Sequence, residues 1–194
     1  MKKIAYYLPV ALVLLVFGLY FWLRPHPFYG NPLDPPQPAP DFTLTSANGP
    51  VSLQQFRGKL VLLFFGYTTC QDECPKTLAT VKAALQQLGD QAGEVQLLMV
   101  TVDPQRDTPT RLAAWVSRFN PAFIGLTGSK AQIDTVTEQY GVYYKIVAGT
   151  SPDSYSVDHT LLMSVIDRTG QLVLQIPYEN TPAQMADDLA YLLK

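Results

Sequence analysis

The chain has 194 residues, a net charge of −2 and only 15% charged residues, so no basic surface argues for nucleic acid, and the length suits one domain with something added. Leaving out Lys2, Lys3 and Arg24, 11 basic residues face 16 acidic ones, a net of −5. That balance does not suggest adhesion to anionic lipid.

The addition comes first. Ile4–Leu23 is a run of 20 residues without a charge, about the length that crosses a hydrocarbon core of roughly 30 Å. It exceeds the usual apolar region of a signal peptide, no small-x-small cleavage site follows, and both cysteines lie too far downstream for a lipid-modified end. We therefore expect a retained anchor over 1–24, embedded in the bilayer. Lys2 and Lys3 place the N-terminus in the cytoplasm, so the chain is expected to cross the inner (cytoplasmic) membrane once and face the periplasm or outside. Residues 25–40 hold seven of the sixteen prolines, and read as an extended tether reaching up to about 50 Å at about 3.1 Å per residue. The domain then spans 41–194.

Phe42–Thr45 and Val51–Leu53, joined by a turn at Asn48-Gly49, predict a small hairpin. Leu60–Phe65 is a continuous apolar run that predicts a strand buried on both faces. Gly66 breaks it, and a polar loop carries both cysteines, Cys70 and Cys74. Pro75 suits the first turn of a helix whose apolar positions run through Leu78, Val81, Leu85 and Leu88 to a stop at Gly89. A second apolar strand is predicted over Val95–Val102, followed by a helix opened by Thr108-Pro109, a short strand over Phe123–Leu126 and a helix capped by Ser129. Tyr143–Val147 predicts a strand and Gly149–Asp158 a polar loop. Thr160–Ile166 and Leu172–Ile176 flank a turn at Asp167–Gly170, and Thr181-Pro182 starts the closing helix. Strands alternating with helices and ending in a hairpin and a helix make an α/β domain, a mixed sheet flanked by helices.

The chemistry gathers where the first buried strand hands over to a helix N-terminus. Peptide dipoles there favour thiolate over thiol. A spacing of i and i+4 puts both sulfurs on one face of a helical turn, with Cα atoms about 6 Å apart. Such a pair can close a disulfide or grip one soft metal ion. The disulfide would close a small loop and stabilise little. Only two histidines are present; His26 lies in the tether, which leaves His159 as the candidate third ligand. Two thiolates select Cu(I), and an added imidazole makes Cu(II) plausible as well. Asp103, at a strand end, either orients His159 or a thiol or simply forms an Asp-Pro turn; Asp107 reads as helix-start chemistry.

Three blocks carry a resemblance: Gly66-Tyr-Thr-Thr-Cys70-Gln-Asp-Glu-Cys74-Pro75, Val102-Asp103-Pro-Gln-Arg-Asp107-Thr-Pro109 and Val157-Asp158-His159-Thr160. With Asp41-Phe-Thr-Leu and Phe56-Arg-Gly-Lys59, they make nearly all of 41–194 similar to the SCO/SenC family of copper-delivery proteins. The resemblance implies a thioredoxin-like fold close to peroxiredoxins. It also implies one copper ion, Cu(I) or Cu(II), held by Cys70, Cys74 and His159. The expected role is a carrier that delivers copper to the CuA-bearing subunit of cytochrome c oxidase, loaded by an upstream donor protein and with no enzymatic turnover. Family members often have histidine before the first cysteine and proline after it, where this chain has Thr69 and Gln71. The alternative is a thiol–disulfide oxidoreductase, with Cys70 and Cys74 redox-active, that keeps the oxidase cysteines reduced. A thioredoxin-type reductant usually shows C-x-x-C, one residue tighter than here, and has no need of His159.

Overall fold

The computed structural model describes residues 12–13, 15–18, 26–149 and 155–194. The expected anchor lies largely outside the described residues; the six of it that are described are helical. Among the described residues no helix is long and apolar enough to cross a membrane.

The domain is built on a six-stranded sheet in the order β1-β10-β9-β4-β5-β6. Its parallel half consists of β4 (Leu60–Gly66), β5 (Val95–Thr101) and β6 (Ile124–Leu126). Every residue of β4 and β5 is buried, as an uninterrupted apolar run requires of a strand covered on both faces. In the antiparallel half, β9 (Leu162–Ile166) pairs with β4, β10 (Gln171–Pro177) with β9, and β1 (Asn31–Pro38) with β10. β10 alternates between buried and half-buried positions, with Leu172, Leu174 and Ile176 inward. The β9–β10 turn passes through Gly170 at φ +81, where a Cβ would meet the Arg57 guanidinium.

Helices α1 (Glu73–Leu88) and α4 (Pro182–Leu192) pack together, and α2 (Pro109–Val116) packs against β6 and against β2 (Thr43–Ser46). β2 forms the expected hairpin with β3 (Gly49–Ser52). Helix α3 (Lys130–Gln139) opens on a capping box between Ser129 and Gln132, and α4 on another between Thr181 and Gln184. The mixed sheet flanked by helices expected from the strand–helix alternation is therefore present.

Two stretches differ from the expectation. Residues 31–38 are not a free tether but an edge strand, in register from Asn31↔Gln175 to Pro38↔Gln171 with an irregularity between Pro32 and Gln37. Its prolines are compatible with pairing because an edge strand donates hydrogen bonds on one side only. The segment ahead of it is pinned as well: the Tyr29 and Gly30 N–H groups donate to the buried Asp188 carboxylate of α4, at 3.0 and 2.9 Å. The folded unit thus begins before Asp41, and His26 packs against the domain. The second difference is a strand, β8 (Tyr155–His159), in place of the later part of the polar loop; it pairs with β7 (Tyr144–Ala148) as a separate hairpin, Tyr144↔His159 to Ala148↔Tyr155.

Candidate metal centre

Gly66 ends β4 at the point where the backbone turns toward the cysteines. A Cβ there would lie 2.7 Å from the Phe64 ring and 3.0 Å from Cys74 Sγ, so only glycine lets the loop fold back over the strand end. Helix α1 starts at Glu73, two residues before the expected Pro75, which puts Cys74 in its first turn and Cys70 just ahead of it. Asp72, at the N-cap position, makes no side-chain capping bond. Cys70 Sγ takes that role and accepts from the Cys74 N–H at 3.4 Å.

Both cysteines are free and buried, Cys74 completely. A hydrogen bond from the Cys74 thiol holds the Cys70 pKa well below its ordinary value, helped by His159 and by the Cys74 and Asp72 N–H groups, and opposed by burial. Cys74 moves the opposite way, because it donates that hydrogen bond, is buried and sits beside the Cys70 charge. The shared hydrogen bond thus biases the pair toward a thiolate at Cys70 and a thiol at Cys74. Glu73 brings its carboxylate to 3.5 Å from Cys70 Sγ, a contact that becomes a repulsion once Cys70 ionises.

His159 closes β8 and reaches the cysteines from the other side. Its Nε2 is 3.5 Å from Cys74 Sγ. A thiolate and an imidazole sharing one tetrahedral ion, with bonds of about 2.3 and 2.0 Å, stand about 3.5 Å apart. Nδ1 lies 3.0 Å from the Thr160 carbonyl, an acceptor only, so Nδ1 carries a proton and Nε2, on the side of the sulfurs, is the nitrogen a metal ion would bind in the neutral ring. The ring meets Phe64 and Tyr67 edge-on, at 6.3 and 5.9 Å. A cleft of about 300 Å³ opens here, between Tyr67, Cys70 and Glu73 on one side and Ser156–His159 with Leu161 on the other.

The structure thus brings Cys70, Cys74 and His159 to one place and leaves His26 elsewhere. Asp103 does not orient His159 or a thiol. It is buried, pairs with Arg106 and accepts from the Tyr155 hydroxyl at 2.8 Å, so it ties down the start of the strand that ends in His159. Arg106 lies 3.6 Å over the Tyr155 ring and donates to the Tyr155 carbonyl at 3.0 Å. The Val157 N–H adds a bond to the Tyr67 hydroxyl at 3.3 Å.

Asp107 does more than start a helix. Fully buried, it accepts from the Thr68 N–H at 3.0 Å, from the Thr68 hydroxyl, and from the Thr101 hydroxyl at 2.7 Å. Arg111 donates to the same Thr68 hydroxyl at 2.8 Å. Asp107 therefore clamps the loop two residues before Cys70 to the end of β5. The sequence held one signal of this: Thr108 already caps α2, with its side chain accepting from the Arg111 N–H, so a second capping residue had nothing to do.

Residues 31–194 match the SCO1/SenC family. A SCO2-like protein of Rickettsia conorii is 34% identical over 151 residues, covering 77% of this chain and 74% of its own. The solution structure of the apo Sco1 protein from Thermus thermophilus aligns with a TM-score of 0.79 at 39% identity, over 86% of this chain and 98% of that one. Copper-bound ScoI from Bradyrhizobium japonicum gives a TM-score of 0.73 at 38% identity, over 79% and 98%.

Proposed function

The chain belongs to the SCO1/SenC family, and from that premise we propose that it is a membrane-anchored copper metallochaperone whose ligands are Cys70, Cys74 and His159. It carries one copper ion to the CuA-bearing subunit of cytochrome c oxidase and receives it from an upstream donor protein. The observation that carries this reading is the 3.5 Å approach of His159 Nε2 to Cys74 Sγ with the opposite ring nitrogen tied to Thr160. The copper-bound relative supports the choice of metal.

Copper enters as cargo. Cys70 is ready as a thiolate, and the ion's charge relieves the Glu73–Cys70 repulsion and displaces the Cys74 proton. Two thiolates suffice for Cu(I), whereas Cu(II) calls on the imidazole. Release proceeds by ligand exchange, as thiolates of the acceptor replace Cys70 and Cys74 one at a time. The uncharged run Ile4–Leu23, behind Lys2 and Lys3, supports an anchor with a cytoplasmic N-terminus. A reporter fused after Lys194 should then be active only outside the cytoplasmic membrane, and recovery of a shortened, freely soluble form from cells would show a cleaved segment instead.

The opposite shifts of the two thiols, Cys70 downward and Cys74 upward, favour a second reading, a dithiol reductant. Cys70 would attack a partner disulfide, Cys74 would resolve the mixed disulfide, and two partner thiols would leave as Cys70 and Cys74 oxidise to a disulfide. His159→Ala separates the two. For a carrier it weakens Cu(II) about a hundredfold and Cu(I) about tenfold, and blocks oxidase assembly under limiting copper while disulfide reduction survives. Normal oxidase assembly in that strain would sink the carrier and leave the reductant.

A further inference from the structure

His26 stands between two prolines in the sequence, Pro25 and Pro27, whose rings restrict the backbone on both sides. Its imidazole stacks on Tyr191 of α4, 4.3 Å away and 7° from parallel, and meets Phe28 edge-on at 4.9 Å. In that setting Nε2 is buried and without a hydrogen-bond partner. It faces Asp188 Oδ1 at 3.6 Å and Asp187 Oδ2 at 3.7 Å, both too long for hydrogen bonds. A buried ring nitrogen with no hydrogen-bond partner, aimed at two carboxylates, is suited to share a cation with them.

We propose that His26, Asp187 and Asp188 form a second metal site, built for a borderline divalent ion of the Zn²⁺ class and independent of the cysteine centre. Nitrogen and oxygen ligands sharing one tetrahedral ion at about 2.0–2.1 Å stand about 3.4 Å apart, a few tenths of an ångström inside the present distances. The three ligand atoms already lie within 4.8 Å of one another. Asp188 is completely buried and each of its oxygens accepts one backbone N–H, which fixes its orientation and leaves Oδ1 a lone pair for the ion. Asp187 is 57% exposed, so it is free to close the short remaining gap. The donor set has no sulfur, which disfavours Cu(I) and suits Zn²⁺. Three protein ligands leave one position for water. The ion would join the segment ahead of β1 to the last helix.

The chain's histidine content makes a clean test possible. In full-length protein carrying Cys70→Ala, Cys74→Ala and His159→Ala, His26 is the single remaining imidazole and no thiol is left. Zn²⁺ titration of that protein in detergent, followed by calorimetry and by the NMR signals of its one histidine, should show one ion bound per chain with those signals shifted. Adding Asp187→Asn should weaken binding at least about tenfold while leaving the metal-free melting temperature unchanged, since Asp187 is exposed. Adding His26→Ala should abolish binding. Asp188→Asn is avoided because Asp188 holds Tyr29 and Gly30. The proposal is overturned if the triple variant binds no Zn²⁺, if its histidine signals do not move, or if His26→Ala or Asp187→Asn binds as tightly as the parent.

Discussion

The cysteine loop leaves a strand whose seven residues are all buried, whereas His159 ends a hairpin in which four of the five residues of β7 are exposed. On the strand side, apolar burial and the glycine contact set where the sulfurs sit. On the hairpin side, a few discrete ties do the positioning: Tyr155 to Asp103, Arg106 over Tyr155, and Val157 to Tyr67. Position is therefore bound to global stability for the cysteines and largely separable from it for the histidine. Substitutions on the two sides should divide accordingly.

The largest effect belongs to the sulfurs themselves. Cys70→Ala or Cys74→Ala should each weaken Cu(I) binding at least about a thousandfold in a competition titration, because one thiolate alone cannot close the near-linear pair. Stability should fall by no more than about 1–2 kcal/mol, even for the fully buried Cys74. A loss well beyond that would make Cys74 a core residue first and a ligand second.

Asp107→Ala should come next, and in stability rather than affinity. It strips the acceptor from the Thr68 N–H and from the Thr68 and Thr101 hydroxyls, for a loss of about 2–4 kcal/mol in denaturant unfolding. An unchanged unfolding midpoint would show that the cysteine loop holds itself.

Tyr155→Phe acts on the other side and should do the reverse. Losing the bond to Asp103 should cost at most about 1 kcal/mol, yet weaken Cu(II) several-fold with Cu(I) nearly unaffected. Equal losses for both oxidation states would show that the hairpin positions more than His159.

The smallest effect is a pH profile. Since the Cys70 pKa is depressed, its alkylation by iodoacetamide should be nearly flat over roughly pH 5–8, where an ordinary thiol gains tenfold per unit. In linkage terms, Cys70 adds stability that is full above its unfolded value of 9.0 and lost as pH falls. Cys74, raised in the fold, contributes in the opposite sense: full below 9.0, and lost as pH rises past it. Alkylation that climbs tenfold per unit would show an unperturbed thiol.

The cysteine side was legible in the sequence because its signals are local: the apolar run, Gly66 and Pro75 lie within sixteen residues. The histidine side was only half legible. In β8 only Val157 is buried, so Tyr155–Asp158 carries almost no alternation and reads as the end of a polar loop. β1 escaped for a related reason, since four prolines in eight residues look like an extended linker, and only a partner 133–144 residues away makes them a strand. Asp107 was misread because its neighbours in sequence explain it as a helix start. Its partners Thr68 and Thr101 are brought to it by the parallel pairing of β4 and β5.

The two ends of the sheet have a further consequence, for self-association. One border is β1, whose Pro32, Pro35, Pro36 and Pro38 have no N–H to offer an incoming strand; the other is β6, only three residues long. Both borders are poor templates for cross-molecular pairing, although the interior strands β4 and β5 are apolar enough to aggregate if uncovered. Replacing the β1 prolines by valine should raise the tendency to self-associate and form fibrils, read by light scattering and thioflavin fluorescence, with the site itself untouched.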